Sequence, residues 1–235
     1  MRDKWIEWKW QEDPEAPRAW EHPERTVVIV EGLSGGALRR VDAAADAMFA
    51  VEHSDARLAV YITVETADVL AAPTVQKPWR PRHAHSIPAL RIERQADLSL
   101  EALRTLAAVE AQHRALVVSP REETYLHLAL CEYDLVVCRG PVGPEAWPMH
   151  PAWVRSLRDQ CQEAGVAFAF LGWGSWKPIS EAVPGDERAA TATANVWRSR
   201  EGDPNDLPLL AYRVGAERSG RTLDDVERLA LPEGL

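Results

Sequence analysis

Six short apolar runs, most followed by a stretch that reads as a helix, constrain this chain more than any other feature. The first, Thr26-Val-Val-Ile-Val30, is a continuous β-branched run of the kind found in strands covered on both faces. Gly32, Gly35 and Gly36 then turn the chain, and Leu38 to Val51 reads as an Ala-rich helix. The alternation repeats with strands at Arg57–Val64, Ala89–Glu93, Ala115–Val118, Leu135–Cys138 and Val166–Leu171. Between them, helices are expected at Thr66–Ala71, Leu98–Gln112 with Ser99 as N-cap, Glu122–Cys131 and Pro151–Ala164, with Gly165 where a helix C-terminus favours positive φ. Parallel strands need crossovers, and crossovers wind one way, so the expected fold class is α/β. A partial (β/α) barrel of about six parallel strands, TIM-like, and a doubly wound open sheet both satisfy the pattern.

Three regions follow from this reading. Residues 1–25 are a Trp- and Pro-rich segment in which Trp8 and Trp10 alternate with charged residues as in a short strand. Residues 26–177 form the barrel core. Residues 178–235 are a polar C-terminal extension packing on the core, read as loop with one strand at Leu209–Val214. Within the core, residues 73–88 are expected to form a loop around Lys77-Pro-Trp-Arg-Pro-Arg-His-Ala-His85.

Composition narrows the function classes. The net charge of −9 does not indicate a nucleic-acid partner, since neutralising phosphates takes a basic excess. No apolar run reaches the roughly 18–20 residues that span a bilayer. Charged and aromatic residues after Met1 leave no secretory h-region, and the three cysteines (Cys131, Cys138, Cys161) form no close pair. A cytoplasmic protein without disulfides is expected.

Several local patterns suggest chemistry. Gly32-x-Ser34-x-Gly36, after a strand and before a helix, has nucleophile-elbow spacing. A triad would take its histidine from His127 or His150. A glycine turn at a strand end is the simpler explanation. The same stretch has the outline of a phosphate loop, but Ala37, Leu38 and Arg39 stand where Gly-Lys-Ser/Thr is required. His83 and His85 point the same way on extended chain, yet no Cys, Asp or Glu lies within five residues to complete a metal shell. The cysteine spacing fits no metal cluster and is read as core packing.

The segment Gly140-Pro-Val-Gly-Pro-Glu-Ala-Trp-Pro-Met-His-Pro-Ala-Trp-Val-Arg-Ser-Leu-Arg-Asp-Gln-Cys-Gln-Glu-Ala-Gly-Val166 resembles a phage-associated family of radical-SAM-like proteins with a three-cysteine motif. Trp173-Gly-Ser-Trp176, Arg213-Val-Gly215 and Gly220-Arg-x-Leu-Asp224 extend the likeness, with weaker echoes at Ile6-Glu-Trp8, Val28-Ile-Val and Ile92-Glu-x-Gln95. The resemblance implies a partial (β/α) barrel and a 4Fe–4S cluster that binds and cleaves S-adenosylmethionine. The cluster's cysteines would follow Trp8, but that region contains none. Neither a cluster nor bound S-adenosylmethionine is therefore expected, and no other cofactor. Pro141 and Val142 replace the family's Glu-Ser, Trp147 its Arg, Leu171-Gly172 its Lys-Gln, and Gly-Leu-Ser-Gly-Gly36 its first barrel-mouth loop. A mouth stripped of polar groups is expected on that basis.

The favoured expectation is a catalytically degenerate protein acting by binding, in a host cytoplasm if phage-encoded. Its occupant would be a host or phage protein or a small ligand. The candidate contacts are Trp79, Arg80, Arg82, His83, His85, Trp147, Trp173 and Trp176, because aromatics and arginine dominate binding hot spots. Trp147, Trp173 and Trp176 serve equally well as core or pocket lining. A second expectation is an enzyme of another class, either a serine hydrolase at Ser34 or a nucleotide- or nucleobase-modifying enzyme. Its acid–base candidates are Glu31, Glu65, Glu93, His150 and Asp159. A third is assembly, as a homo-oligomer or as the regulatory partner of a cysteine-bearing relative.

Overall fold

The computed structural model describes residues 4–9, 26–31, 59–65, 86–121, 126–179, 194–197 and 209–234. The Gly32–Gly36 turn, the expected helices at 38–51 and 66–71, and loop residues 73–85 lie outside them. The chain is mixed α/β. Seven strands, β1 (Lys4–Lys9), β2 (Thr26–Glu31), β3 (Ala59–Glu65), β4 (Ser86–Ile92), β5 (Ala115–Val118), β6 (Leu135–Arg139) and β7 (Ala167–Gly172), lie side by side in chain order. Every adjacent pair is parallel. The Trp-rich N-terminal strand is thus the first edge of the main sheet. β4 begins at Ser86, inside the expected loop, because the φ of Pro88 suits extended chain and only its N–H is lost to the ladder.

Over β4 to β7 the apolar runs are continuous because both faces of the sheet are covered. On one face Leu90, Ile92, Leu116, Val118, Val136, Cys138, Phe168 and Phe170 pack against helices α1 (Leu100–Ala107) and α2 (Pro151–Ala164). On the other, Trp5, Val27, Ile29, Ile87, Ala89, Ala115, Val117, Leu135, Val137 and Ala169 form a second buried cluster. Trp5 of β1 and Leu171 of β7 line one cavity although five strands lie between theirs, so the sheet curls with this cluster on its inner side. Ala89, Ala115, Leu135 and Ala167 stand in register across four strands, a row of mostly small side chains on the concave side.

The helices show where local propensity decided and where it lost. α2 keeps its expected bounds, opened by the His150 side chain, whose Nδ1 accepts from the Ala152 N–H at 3.0 Å, with Pro151 in the first turn. Gly165 closes it at φ 70°. α1 starts after Ser99, whose Oγ accepts from the Ala102 N–H at 3.2 Å, but it stops five residues short of the expected Gln112. The Arg114 guanidinium donates to the carbonyls of Leu106, Ala107 and Val109, giving the end of the helix partners that further turns would have supplied.

The expected helix at 122–131 is corrected over its described part. Residues 126–129 are not helical and only a 3-10 turn at Leu130–Glu132 follows. Here two glutamine side chains replace the helix ladder. Gln160 accepts from the Leu128 N–H and donates to the Leu126 carbonyl, both at 2.9 Å, while Gln95 does the same for the His127 N–H and carbonyl at 3.0 and 3.2 Å.

The C-terminal extension holds more strand than expected. β8 (Trp176–Pro178), β9 (Ala194–Trp197) and β10 (Leu209–Arg213) form an antiparallel sheet in the order β8-β10-β9. A four-residue helix α3 (Ala216–Ser219) leads to the hairpin β11 (Thr222–Leu223) and β12 (Val226–Glu227). Its turn residues Asp224 and Asp225 have φ 54° and 59°, the left-handed pair that two-residue hairpin turns require. Beyond it the chain runs antiparallel along β7. The Phe170 N–H donates to the Arg228 carbonyl at 2.6 Å and the Ala230 N–H to the Phe168 carbonyl at 3.3 Å. Leu229 and Leu231 pack on the concave cluster while Leu223 is buried on the helical side, so the tail wraps the outer edge of β7. No described helix is long and apolar enough to cross a membrane.

One carboxylate fastens this wrap. Asp224 accepts from Arg155 Nε at 2.8 Å and from Arg158 Nη1 at 2.7 Å, both on α2. The hydrogen bond from Arg155, aided by Arg158, holds the Asp224 carboxyl below its usual range. A depressed carboxyl stabilises the fold above its unfolded pKa, and that contribution is lost as the pH falls through the folded value. Asp224→Asn, which tolerates the left-handed backbone but carries no charge, is expected to cost about 1 kcal/mol in urea denaturation at neutral pH. The gap between variant and parent closes as the pH drops through about 4 and below.

Candidate functional site

The concave face turns polar at the C-terminal ends of the strands. Along β4 the sequence Ile87, Ala89, Arg91 keeps one parity, and along β6 Leu135, Val137, Arg139 does the same. Ser119, two residues after the inward Val117, continues β5 in the same sense. Arg91, Ser119 and Arg139 line a cavity of about 270 Å³ together with Glu93, Glu145 and Trp147. A second cavity of about 260 Å³ is lined by Trp5, Arg139, Leu171, Ser219 and Arg221. Arg139, Gly140 and Val142 belong to both, so the two are lobes of one mouth.

The ladder breaks at this point. The β6–β7 register shifts between Cys138 and Arg139, leaving Arg139 opposite Gly172. The extra residue is Leu171 on β7, so β7 bends and re-aims its side chains while β6 keeps its parity through Arg139. Gly172 has φ 128°, and a Cβ there would meet the Gly220 carbonyl oxygen at 2.6 Å. The C-terminal extension therefore approaches close enough to supply Ser219 and Arg221 to the second lobe.

The loop after β6 is held by indoles and one arginine. Trp147 Nε1 donates to the Pro120 carbonyl at 2.8 Å, and the Arg121 guanidinium lies 4.4 Å from the Trp147 ring centroid. Trp176 Nε1 donates to the Ala146 carbonyl at 2.7 Å, and Arg213 to the carbonyls of Gly143 and Pro144 at 2.7 and 2.8 Å. Ser175 Oγ accepts from the Gly143 N–H at 3.1 Å.

Of the residues singled out from sequence, Glu93 and Trp147 meet in the first lobe. Glu93 Oε2 lies 3.8 Å from Arg121 Nη1. Trp176 braces the mouth loop from beneath. Trp173 is buried, stacked edge-on against Phe170 at 4.8 Å and donating to the Thr222 carbonyl at 3.1 Å, so it is core. His150 caps α2 and lines neither lobe. Asp159 is exposed and accepts from Arg158 Nε at 2.7 Å. Exposed His127 contributes its backbone to Gln95. Glu31 and Glu65 are the last residues of β2 and β3. Ser34, Trp79, Arg80, Arg82, His83 and His85 lie outside the described residues.

The expectation of a stripped mouth is corrected. Pro141, Val142, Trp147, Leu171 and Gly172 do line the two lobes, but the strands themselves bring Arg91, Ser119 and Arg139. Sequence reasoning missed them, although period-two parity carries the signal: each ends an inward row whose earlier members are apolar. Arg221 and Ser219 left no such trace, since only the tail's path delivers them.

The cysteines sit elsewhere. Cys138 and Cys161 are buried in the helix-side core. Burial pushes the Cys138 thiol well up, with Cys161 adding to the effect, and pushes Cys161 up to about 12. Cys131 is exposed and lines a cavity with His113, Tyr133 and Asp134 at the strand N-terminal ends. Among the described residues no group of three His, Cys, Asp or Glu is placed to hold a metal ion. Native thiol labelling is expected to modify Cys131 quickly and the other two only as the protein unfolds, because the thiolate is the reactive form. Equal labelling of all three contradicts this packing. Trp176→Phe, which removes one donor to the mouth loop, is expected to speed amide exchange at Gly143 and Ala146 and to cost about 1 kcal/mol.

No curated protein and no solved structure matches the chain. One family does, over residues 10–232, so the match covers strands β2 to β12, the mouth and the tail that completes it. The chain belongs to the family described as protein of unknown function DUF5131.

Proposed function

We propose that this chain is a binding protein built on a partial (β/α) barrel of the radical-SAM kind, without that class's chemistry. The observation that carries the reading is the placement of its sulfur. The sequence holds three cysteines, two enclosed in the helix-side core and one beside the strand N-terminal ends. An iron–sulfur cluster is held by thiolates, and a barrel enzyme works at the opposite, C-terminal end of its strands. The curl of the sheet, with β1 and β7 sharing one core and one cavity, supports the barrel reading. The polar mouth supports retention of a ligand site. The likeness to phage-associated proteins extends the proposal to action in a host cytoplasm.

Anaerobic reconstitution with iron and sulfide tests it. The purified chain is expected to develop no iron–sulfur charge-transfer absorption and to leave S-adenosylmethionine intact under a low-potential reductant. A stoichiometric cluster, or cleavage of S-adenosylmethionine, contradicts the proposal.

A further inference from the structure

We infer that the mouth takes a small anionic ligand, bearing a phosphate or carboxylate group, gripped by Arg139 where the two lobes meet. This rests on the reading of the chain as a binding protein and adds the chemistry of what it binds. Arg139 is the one charged side chain common to both lobes. Each lobe adds a second guanidinium, Arg91 beside the Ser119 hydroxyl on one side and Arg221 on the other. The planar fork of arginine matches the oxygens of carboxylate and phosphate, and its five donors allow it to serve a protein partner and a ligand together.

The surroundings favour an anion. The chain carries a net charge of −9, yet three arginines converge here. Three carboxylates line the lobes as well: Glu93 faces Arg121 at 3.8 Å, and Glu145 and Glu217 are exposed, where solvent screens them, while Arg91 and Arg139 are half-buried. Beneath Arg91 and Arg139 the concave face is apolar, with Val117, Val137 and Ala169 buried. A charge–charge attraction above such a floor is screened less than one on an open surface.

Backbone geometry supplies an independent reason. The ladder breaks opposite Arg139, where β7 carries one extra residue, Leu171, which lines the second lobe. Bulges recur beside functional sites, where they aim a side chain. The two joined lobes, at about 270 and 260 Å³, have room for a metabolite-sized anion.

Titration calorimetry at constant ionic strength, with inorganic phosphate in one arm and citrate in the other, tests the inference and separates the two sources of negative oxygen. Saturable binding is expected in at least one arm. Arg139→Gln is expected to weaken it tenfold or more, and Arg139→Lys, which keeps the charge but not the fork, to weaken it less. Arg91→Gln against Arg221→Gln identifies the lobe holding the anion. Arg104→Gln, on the exposed side of α1, is expected to leave binding unchanged. Absence of saturable binding in both arms, or undiminished binding by Arg139→Gln and Arg139→Lys, overturns the inference. The cluster-free reading survives that failure, because it stands or falls on reconstitution alone.

Discussion

Burial of one parallel sheet on both faces is the constraint from which the rest of this structure follows. An antiparallel sheet can leave one face wet, but here the crossovers place helices over one face and the sheet curls around the other. Val136 and Cys138 look toward α2 while Leu135 and Val137 look inward, and all four are sealed from solvent. Once neighbouring residues on a strand are both buried, polar groups have only the strand ends to occupy. The arginines of the mouth stand where that rule sends them. Arg91 and Arg139 lie on the inward parity, at the last positions from which a guanidinium reaches water.

The curl leaves β7 with an unpaired edge, and the C-terminal extension answers it. Hydrogen bonds from residues 228–230 occupy that edge, Leu229 and Leu231 reach the concave core, and Leu223 enters the helix-side core. Asp224 ties the hairpin to Arg155 and Arg158 of α2. The contact between Gly172 and Gly220 then brings Ser219 and Arg221 into the second lobe. Two neighbouring segments thus divide by task. The arginines in Trp153-Val-Arg-Ser-Leu-Arg158 hold the tail, and the Gly140–Trp147 segment shapes the mouth.

Much of the fold was legible because it rests on local rules. Continuous β-branched runs marked strands buried twice, Ser99 and Gly165 marked helix ends, and Pro151–Ala164 was read without error at either boundary. The failures share a cause: long-range side-chain partners replaced local backbone ones. Arg114 finishes α1 early, and Gln95 with Gln160 holds residues 126–128 in a conformation their composition does not favour. Of the residues lining the mouth, Glu93 and Trp147 were singled out from the sequence, Arg91, Ser119 and Arg139 were discoverable by parity, and Arg221 was beyond reach because its position depends on the path of the C-terminal extension. Trp173, for which contact and core were equally open readings, is claimed by the core.

The central claim is that small anions enter at the strand C-terminal end, between guanidinium groups above an apolar floor. Nitrogen-15 NMR of the arginine Nε–H groups, followed while inorganic phosphate is added, addresses it directly. The account predicts that Arg139 and at least one of Arg91 and Arg221 shift along one saturable curve while Arg104 stays still. Saturable shifts confined to the opposite end of the sheet, around His113 and Arg114, would contradict it.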